Sequence, residues 1–161
     1  MRGMKLVLVG VVAALLSQPA FAFREIEMQD RYCAGMPTGV RLADGSIVDC
    51  LDGDLAIEVD FSDHWAAAIG QSLHYARVQG ERSAELSARG RRGLSSIRPA
   101  IILVCNDSYS IEACSAHQER LLKTAEYWRI GLLVWLCDSR SDAGLADCDF
   151  VDLYEVGNLT P

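Results

Sequence analysis

Two apolar runs fix most of what this chain can become. Residues 99–105 read PAIILVC and residues 130–137 read IGLLVWLC. Strands this uniformly apolar belong in a sheet covered on both faces, because a half-exposed strand alternates apolar and polar side chains. Residues 111–128 lie between them as a long helix, the crossover that two parallel strands need. Upstream, residues 55–61 (LAIEVDF) form a strand with Leu55, Ile57, Val59 and Phe61 on one face and Ala56, Glu58 and Asp60 on the other. Ser62 reads as the cap of a helix over 63–79, closed by Gly80. Before it, residues 40–43 and 46–51 form two strands joined by Asp44-Gly45, a strong hairpin signal, with a second turn at Asp52-Gly53-Asp54. Residues 23–35 make a short opening helix ended by Gly35 and Pro37, and residues 150–156 a final edge strand. The order helix, three strands, helix, strand, helix, strand is that of an α/β layered domain: a meander followed by crossovers.

The first 22 residues stand apart. Arg2 and Lys5 precede LVLVGVVAALL (6–16), residues 17–19 (Ser-Gln-Pro) break the run, and Ala20-Phe21-Ala22 is a small-x-small step. This three-part pattern predicts a cleaved signal peptide over 1–22 and one domain over 23–161, in the periplasm or secreted. A buried N-terminal helix and a membrane anchor are the competing readings of the same run. The full chain carries 15 basic and 22 acidic residues, net −7; without Arg2 and Lys5 the balance is 13 against 22, net −9. That excludes a protein that coats nucleic acid by bulk charge. A local basic segment remains at Arg77, Arg82, Arg89, Arg91, Arg92 and Arg98, read either as a solvated loop or as a phosphate-binding arm.

All six cysteines follow the signal-like segment. An even count in an exported chain favours disulfides, and proximity along the chain suggests Cys33–Cys50, Cys105–Cys114 and Cys137–Cys148 among the pairings that six cysteines allow. Cys114-x-x-His117 also has the spacing of half a zinc site, but no second pair at matching spacing completes it.

The acidic residues Asp49, Glu58 and Asp60 sit inside strands, and acids two apart on one strand face repel unless water or a cation separates them. A hard divalent ion, Mg²⁺ or Mn²⁺, would satisfy them; a solvated strand face would too. On the following helix, Trp65, Ile69, Leu73 and Ala76 form the expected sheet-facing stripe, and His64, Gln71, Tyr75 and Val78 a second one.

The order of elements and these residues together resemble the PD-(D/E)XK nuclease superfamily, the restriction-endonuclease-like fold with an αβββαβ core. The family carries Asp on its second strand and Glu-x-Lys on its third. Asp49 matches the first, and Glu58, with eight residues between them, the second. Gln71-Ser72-Leu73-His74-Tyr75 resembles the Gln-x-x-x-Tyr motif of RecB-type members, and the phrase from Asp49 to Ala76 is similar to small bacterial members with Glu-Val-Asp and Trp-Ala-x-Ala-Ile-Gly-Gln. The resemblance covers roughly residues 41–105 and leaves one helix and strand as additions. It implies metal-assisted phosphodiester hydrolysis of DNA or RNA: Mg²⁺ or Mn²⁺ on Asp49, Glu58 and the Val59 carbonyl, with Asp60, His64, Gln71 and Tyr75 as the other catalytic residues. Two departures stand out. Asp60 occupies the position of the family's lysine, and His64 stands where the small members often carry a lysine just before the tryptophan. His64 either replaces that lysine or marks a chain that has lost catalysis. The family's acid on the first helix is matched by Glu25 or Glu27. The alternative function is an inactive, disulfide-stabilised binding or envelope-assembly domain on a nuclease-like fold.

Overall fold

A computed structural model describes residues 20–156, apart from 92, 94–95 and 142–143, with side chains from Glu25 to Tyr154. The expected signal segment lies outside the described residues except at 20–22. The chain runs α1 (Ala20–Tyr32), β1 (Thr38–Arg41), β2 (Ile47–Asp52), β3 (Leu55–Phe61), a 3₁₀ turn (Ser62–His64), α2 (Trp65–Ala88), β4 (Arg98–Cys105), α3 (Ile111–Tyr127), β5 (Leu133–Asp138), β6 (Asp149–Asp152) and a single turn, α4 (Leu153–Val156). The six strands form one sheet in sequence order. β1, β2 and β3 pair antiparallel, β3, β4 and β5 parallel, and β6 returns antiparallel on β5. The fold class is mixed α/β.

The sheet divides two layers. Ile57, Val59, Ile102 and Val104 pack with Met28 and Tyr32 of α1 on one face. Ile101, Leu103 and Val134 pack on the other with Ala68 and Ile69 of α2 and Leu121 and Ala125 of α3. Covering both faces is what the runs at 99–105 and 130–137 demand: every residue of β4 after Arg98 is buried. Each fully buried Ile or Leu there contributes about 1.5–3 kcal/mol of transfer free energy.

Several local expectations are corrected. β1 lies earlier than 40–43, because the hairpin uses Leu42 and Ala43: Leu42 N–H donates to Ser46 O at 2.8 Å, and Ser46 N–H and Oγ both donate to Asp44 Oδ1. Ser62 does not cap α2. It is fully buried, with its Oγ 3.2 Å from His117 Nδ1 and 3.6 Å from Cys114 Sγ. Gly80 does not end α2 either. The helix continues to Ala88 and closes where Gly90 N–H donates to Ser87 O and Arg91 N–H to Leu86 O, with Gly90 left-handed at φ 69°. This is the Schellman arrangement. Arg77 and Arg82 therefore ride on a helix, and Arg98 opens β4 paired with Asp54 at 2.8 Å, so the basic segment is not one loop. β5 begins later than residue 130 because α3 closes in the same way, with Arg129 left-handed at φ 52° and Ile130 N–H donating to Ala125 O. β6 ends at Asp152, where the chain turns into α4.

Disulfides join Cys33–Cys50, Cys105–Cys114 and Cys137–Cys148, as chain proximity suggests. With Cys114 bridged, the Cys114–His117 zinc reading has no free thiolate to use. Three bridges suit an oxidising compartment. No helix among the described residues is long and apolar enough to cross a membrane.

Candidate active site

The sequence acids meet where β2 and β3 part. The two strands pair at Asp52–Leu55, Leu51–Ala56 and Cys50–Ile57. One step further, Asp49 and Glu58 face each other and the ladder gives way to side chains. Val59 N–H donates to Asp49 Oδ2 at 2.8 Å, and Gln29 Nε2–H of α1 donates to the Asp49 carbonyl at 2.7 Å. The β1–β2 ladder also steps over this point, passing from Thr38–Cys50 to Val40–Val48, with Gly39 left-handed at φ 58°. In a strand, N–H and C=O of one residue point to the same side. The Val59 carbonyl therefore faces the same gap.

Burial sets the electrostatics. β3 is buried along its whole length, Glu58 at 3% exposure and Asp60 at 6%. Burial first, then the Asp49 and Asp60 charges, push the Glu58 carboxyl up to about 10. Burial also raises Asp49, to about 6, against the opposing pull of the Val59 N–H. The two carboxyls share a hydrogen bond, so the pair keeps a proton at neutral pH. The other oxygen of Glu58, Oε2, is buried with no hydrogen-bond partner. Leaving such an acceptor unmet costs on the order of 1–3 kcal/mol.

The remaining candidates gather around this pair. Asp60 Oδ1 accepts Phe61 N–H at 2.7 Å and lies 3.0 Å from His64 Nδ1. Burial raises Asp60, opposed by the Phe61 N–H and by His64. His64 Nε2 lies 3.7 Å from Asp63 Oδ2, which in turn accepts Tyr109 OH at 3.1 Å. Tyr75 is buried at 8% exposure, and burial and the Glu58 charge raise its phenol while a side-chain bond to Gln71 opposes the rise. The two stripes expected on α2 thus change places in part: Tyr75 and Val78 face inward, and Leu73 is exposed. Gln71 is exposed and joins the site through Tyr75.

Of the two acids considered on α1, Glu25 is the one that reaches the site. Its carboxyl is raised by burial and by the Asp60 charge, and it adds to the field on Asp49 and Glu58. Glu27 instead pairs with Arg31 at 3.8 Å. The charges of four carboxyls, Glu25, Asp49, Glu58 and Asp60, therefore act on one another around the middle and C-terminal half of β3. Gln29, Asp63 and Tyr109 join this neighbourhood without any motif to announce them.

The donor set fits a hard cation. Among the described residues no three His, Cys, Asp or Glu side chains form a ready cage, because Asp60 is turned to His64 and the Phe61 N–H. Mg²⁺ asks for less: one or two carboxylates, with water completing its shell. Asp49, Glu58 and the Val59 carbonyl meet that demand, and the unpartnered Glu58 Oε2 is the atom a cation would satisfy. Compared with family models, with curated proteins and with solved structures, the chain matches none. The chemistry of the site therefore rests on its own geometry.

Proposed function

We propose that the chain is an exported, metal-dependent phosphodiester hydrolase acting on nucleic acid. In this reading α1 to β4 form a restriction-endonuclease-like αβββαβ core, and α3 and β5 are the added helix and strand. The observation that carries it is the buried Glu58 carboxyl with an unpartnered oxygen, set against Asp49 at the parting of two strands. A bound Mg²⁺ or Mn²⁺ supplies Lewis-acid activation of water and neutralises charge at the phosphate. The chain's own residues do the rest. Asp49 and Glu58 offer the anionic oxygens. His64, oriented by Asp60 at 3.0 Å, takes or gives a proton beside them in place of the family's ammonium. Tyr75, held by Gln71, presents its hydroxyl to the same space.

A second reading, a binding or envelope-assembly domain without catalysis, is favoured by one specific fact. Lys123 is the single lysine after residue 22, and it pairs with Glu119 at 2.6 Å on α3. No lysine takes the family's place at the site.

Thermal melts with Mn²⁺ and Mg²⁺, run beside nicking of supercoiled plasmid and of single-stranded DNA, separate the readings. The melting temperature rises with Mn²⁺ in the native protein and in His64→Ala, and does not respond in Asp49→Ala or Glu58→Ala. Cleavage follows the same metal dependence and drops in His64→Ala. A metal shift with no cleavage selects the second reading. No metal shift in the native protein sinks the metal site.

A further inference from the structure

We infer that Gln29 is a positioning residue for Asp49, and that α1 acts as a splint holding this carboxylate in the metal-binding gap. The inference rests on the two-carboxylate metal reading and concerns a residue that no motif marks. β2–β3 pairing stops at Cys50–Ile57, one residue short of Asp49, so on that side the sheet holds Asp49 through its side chain alone, by the Val59 N–H. α1 holds its backbone at two adjoining points. Gln29 Nε2–H meets the Asp49 carbonyl at 2.7 Å, across 20 residues of sequence. Four residues on, Cys33 is bridged to Cys50, the residue after Asp49, with their Cα atoms 6.0 Å apart. Cys33 N–H donates to Gln29 O at 2.9 Å, so both side chains leave one helical turn on the same face. The bridge fixes where β2 lies, and the amide fixes the rotation of the Asp49 peptide. That rotation aims the Asp49 side chain, whose Oδ2 accepts the Val59 N–H and whose carboxyl faces Glu58. Groups that orient a ligand without touching the ion commonly govern affinity by about 10–100-fold.

The test uses Gln29→Met, which keeps the length and bulk of the side chain and removes only its donor. Exposed Asp30→Ala on the same turn serves as control. Mn²⁺ binding is titrated by electron paramagnetic resonance, and amide hydrogen exchange is followed separately in metal-free protein. In Gln29→Met, Mn²⁺ binding weakens by about tenfold, and the Val59 amide loses protection while the Ile57 amide keeps it. Asp30→Ala changes neither. A uniform loss of protection across β3 would mark a merely structural role and overturn the proposal. So would unchanged Mn²⁺ affinity together with unchanged Val59 exchange. If the native protein itself binds no Mn²⁺, the metal reading fails and the proposal falls with it; the native titration tells that failure from the proposal's own.

Discussion

Burial and the Asp49 charge lift the Glu58 carboxyl from its ordinary 4.5 to about 10, and burial lifts Asp49 from 3.8 to about 6. Between the ordinary and the raised values, the folded chain holds protons that the unfolded chain has released. Stability of the metal-free protein is therefore fullest at the acid end of that interval and falls as pH rises through it. Melts in EDTA should show the melting temperature dropping steadily from pH 5 to pH 9. Glu58→Gln, which keeps the shape without the ionisation, should flatten most of that slope and melt higher than the native protein at pH 8. A native profile that is flat or rising over this range would contradict the buried, proton-sharing pair. Saturating Mn²⁺ at 100 times its dissociation constant would add about 2.7 kcal/mol at pH 8, where the carboxylates are most in need of it. The acids in this pair were legible in the sequence because strands rarely hide carboxylates without cause. Glu25 was legible only as one of two acids on α1, and Gln29 not at all, since which of several polar residues on α1 reaches the gap depends on how that helix lies on the sheet.

At the scale of elements, α2 shows where local rules yield to packing. Gly80 looks like a stop, but buried Val78 and Ser83 on either side of it hold the helix to the sheet side of the molecule. The real stop is Gly90, whose left-handed backbone lets Arg91 N–H reach back to Leu86 O. The two glycines should respond to alanine with opposite signs. A Cβ at Gly80 meets no atom within 4 Å, so Gly80→Ala should stabilise the protein by about 0.5–1 kcal/mol through helix propensity and a less free unfolded chain. At Gly90, with φ 69°, alanine enters a left-handed conformation and should destabilise by about 1–2 kcal/mol. Denaturant melts of the two variants read this directly. Equal effects would mean that α2 ends near Gly80 in solution. The stripe on α2 was half legible for a related reason: Tyr75 reads as polar by its hydroxyl, yet the residue is buried, and its phenol feels the Glu58 charge.

Across the whole molecule, the three bridges close loops of 17, 9 and 11 residues between segments close together in the chain. That is why pairing by proximity could be read from sequence, as could the buried strands, whose composition admits no other place. The site as a unit was less legible, because it is assembled from α1, β2, β3 and α2, and only the last three carry recognisable motifs. The bridges offer a way to separate general stability from the assembly of the site. Loops of these lengths each restrict the unfolded chain by about 3 kcal/mol. Removing Cys33–Cys50 or Cys137–Cys148 by paired serine substitution should therefore lower stability to a similar degree, by about 2–4 kcal/mol. Their effects on the site should differ. Cys50 adjoins Asp49, whereas Cys137 and Cys148 tie β5 to the loop before β6. If α1 holds the site through this bridge, Cys33→Ser/Cys50→Ser should lose most of its Mn²⁺-induced rise in melting temperature, and Cys137→Ser/Cys148→Ser should keep it at a matched distance below its own melting point. Equal Mn²⁺ responses in the two variants would mean that β2 holds Asp49 in place without α1.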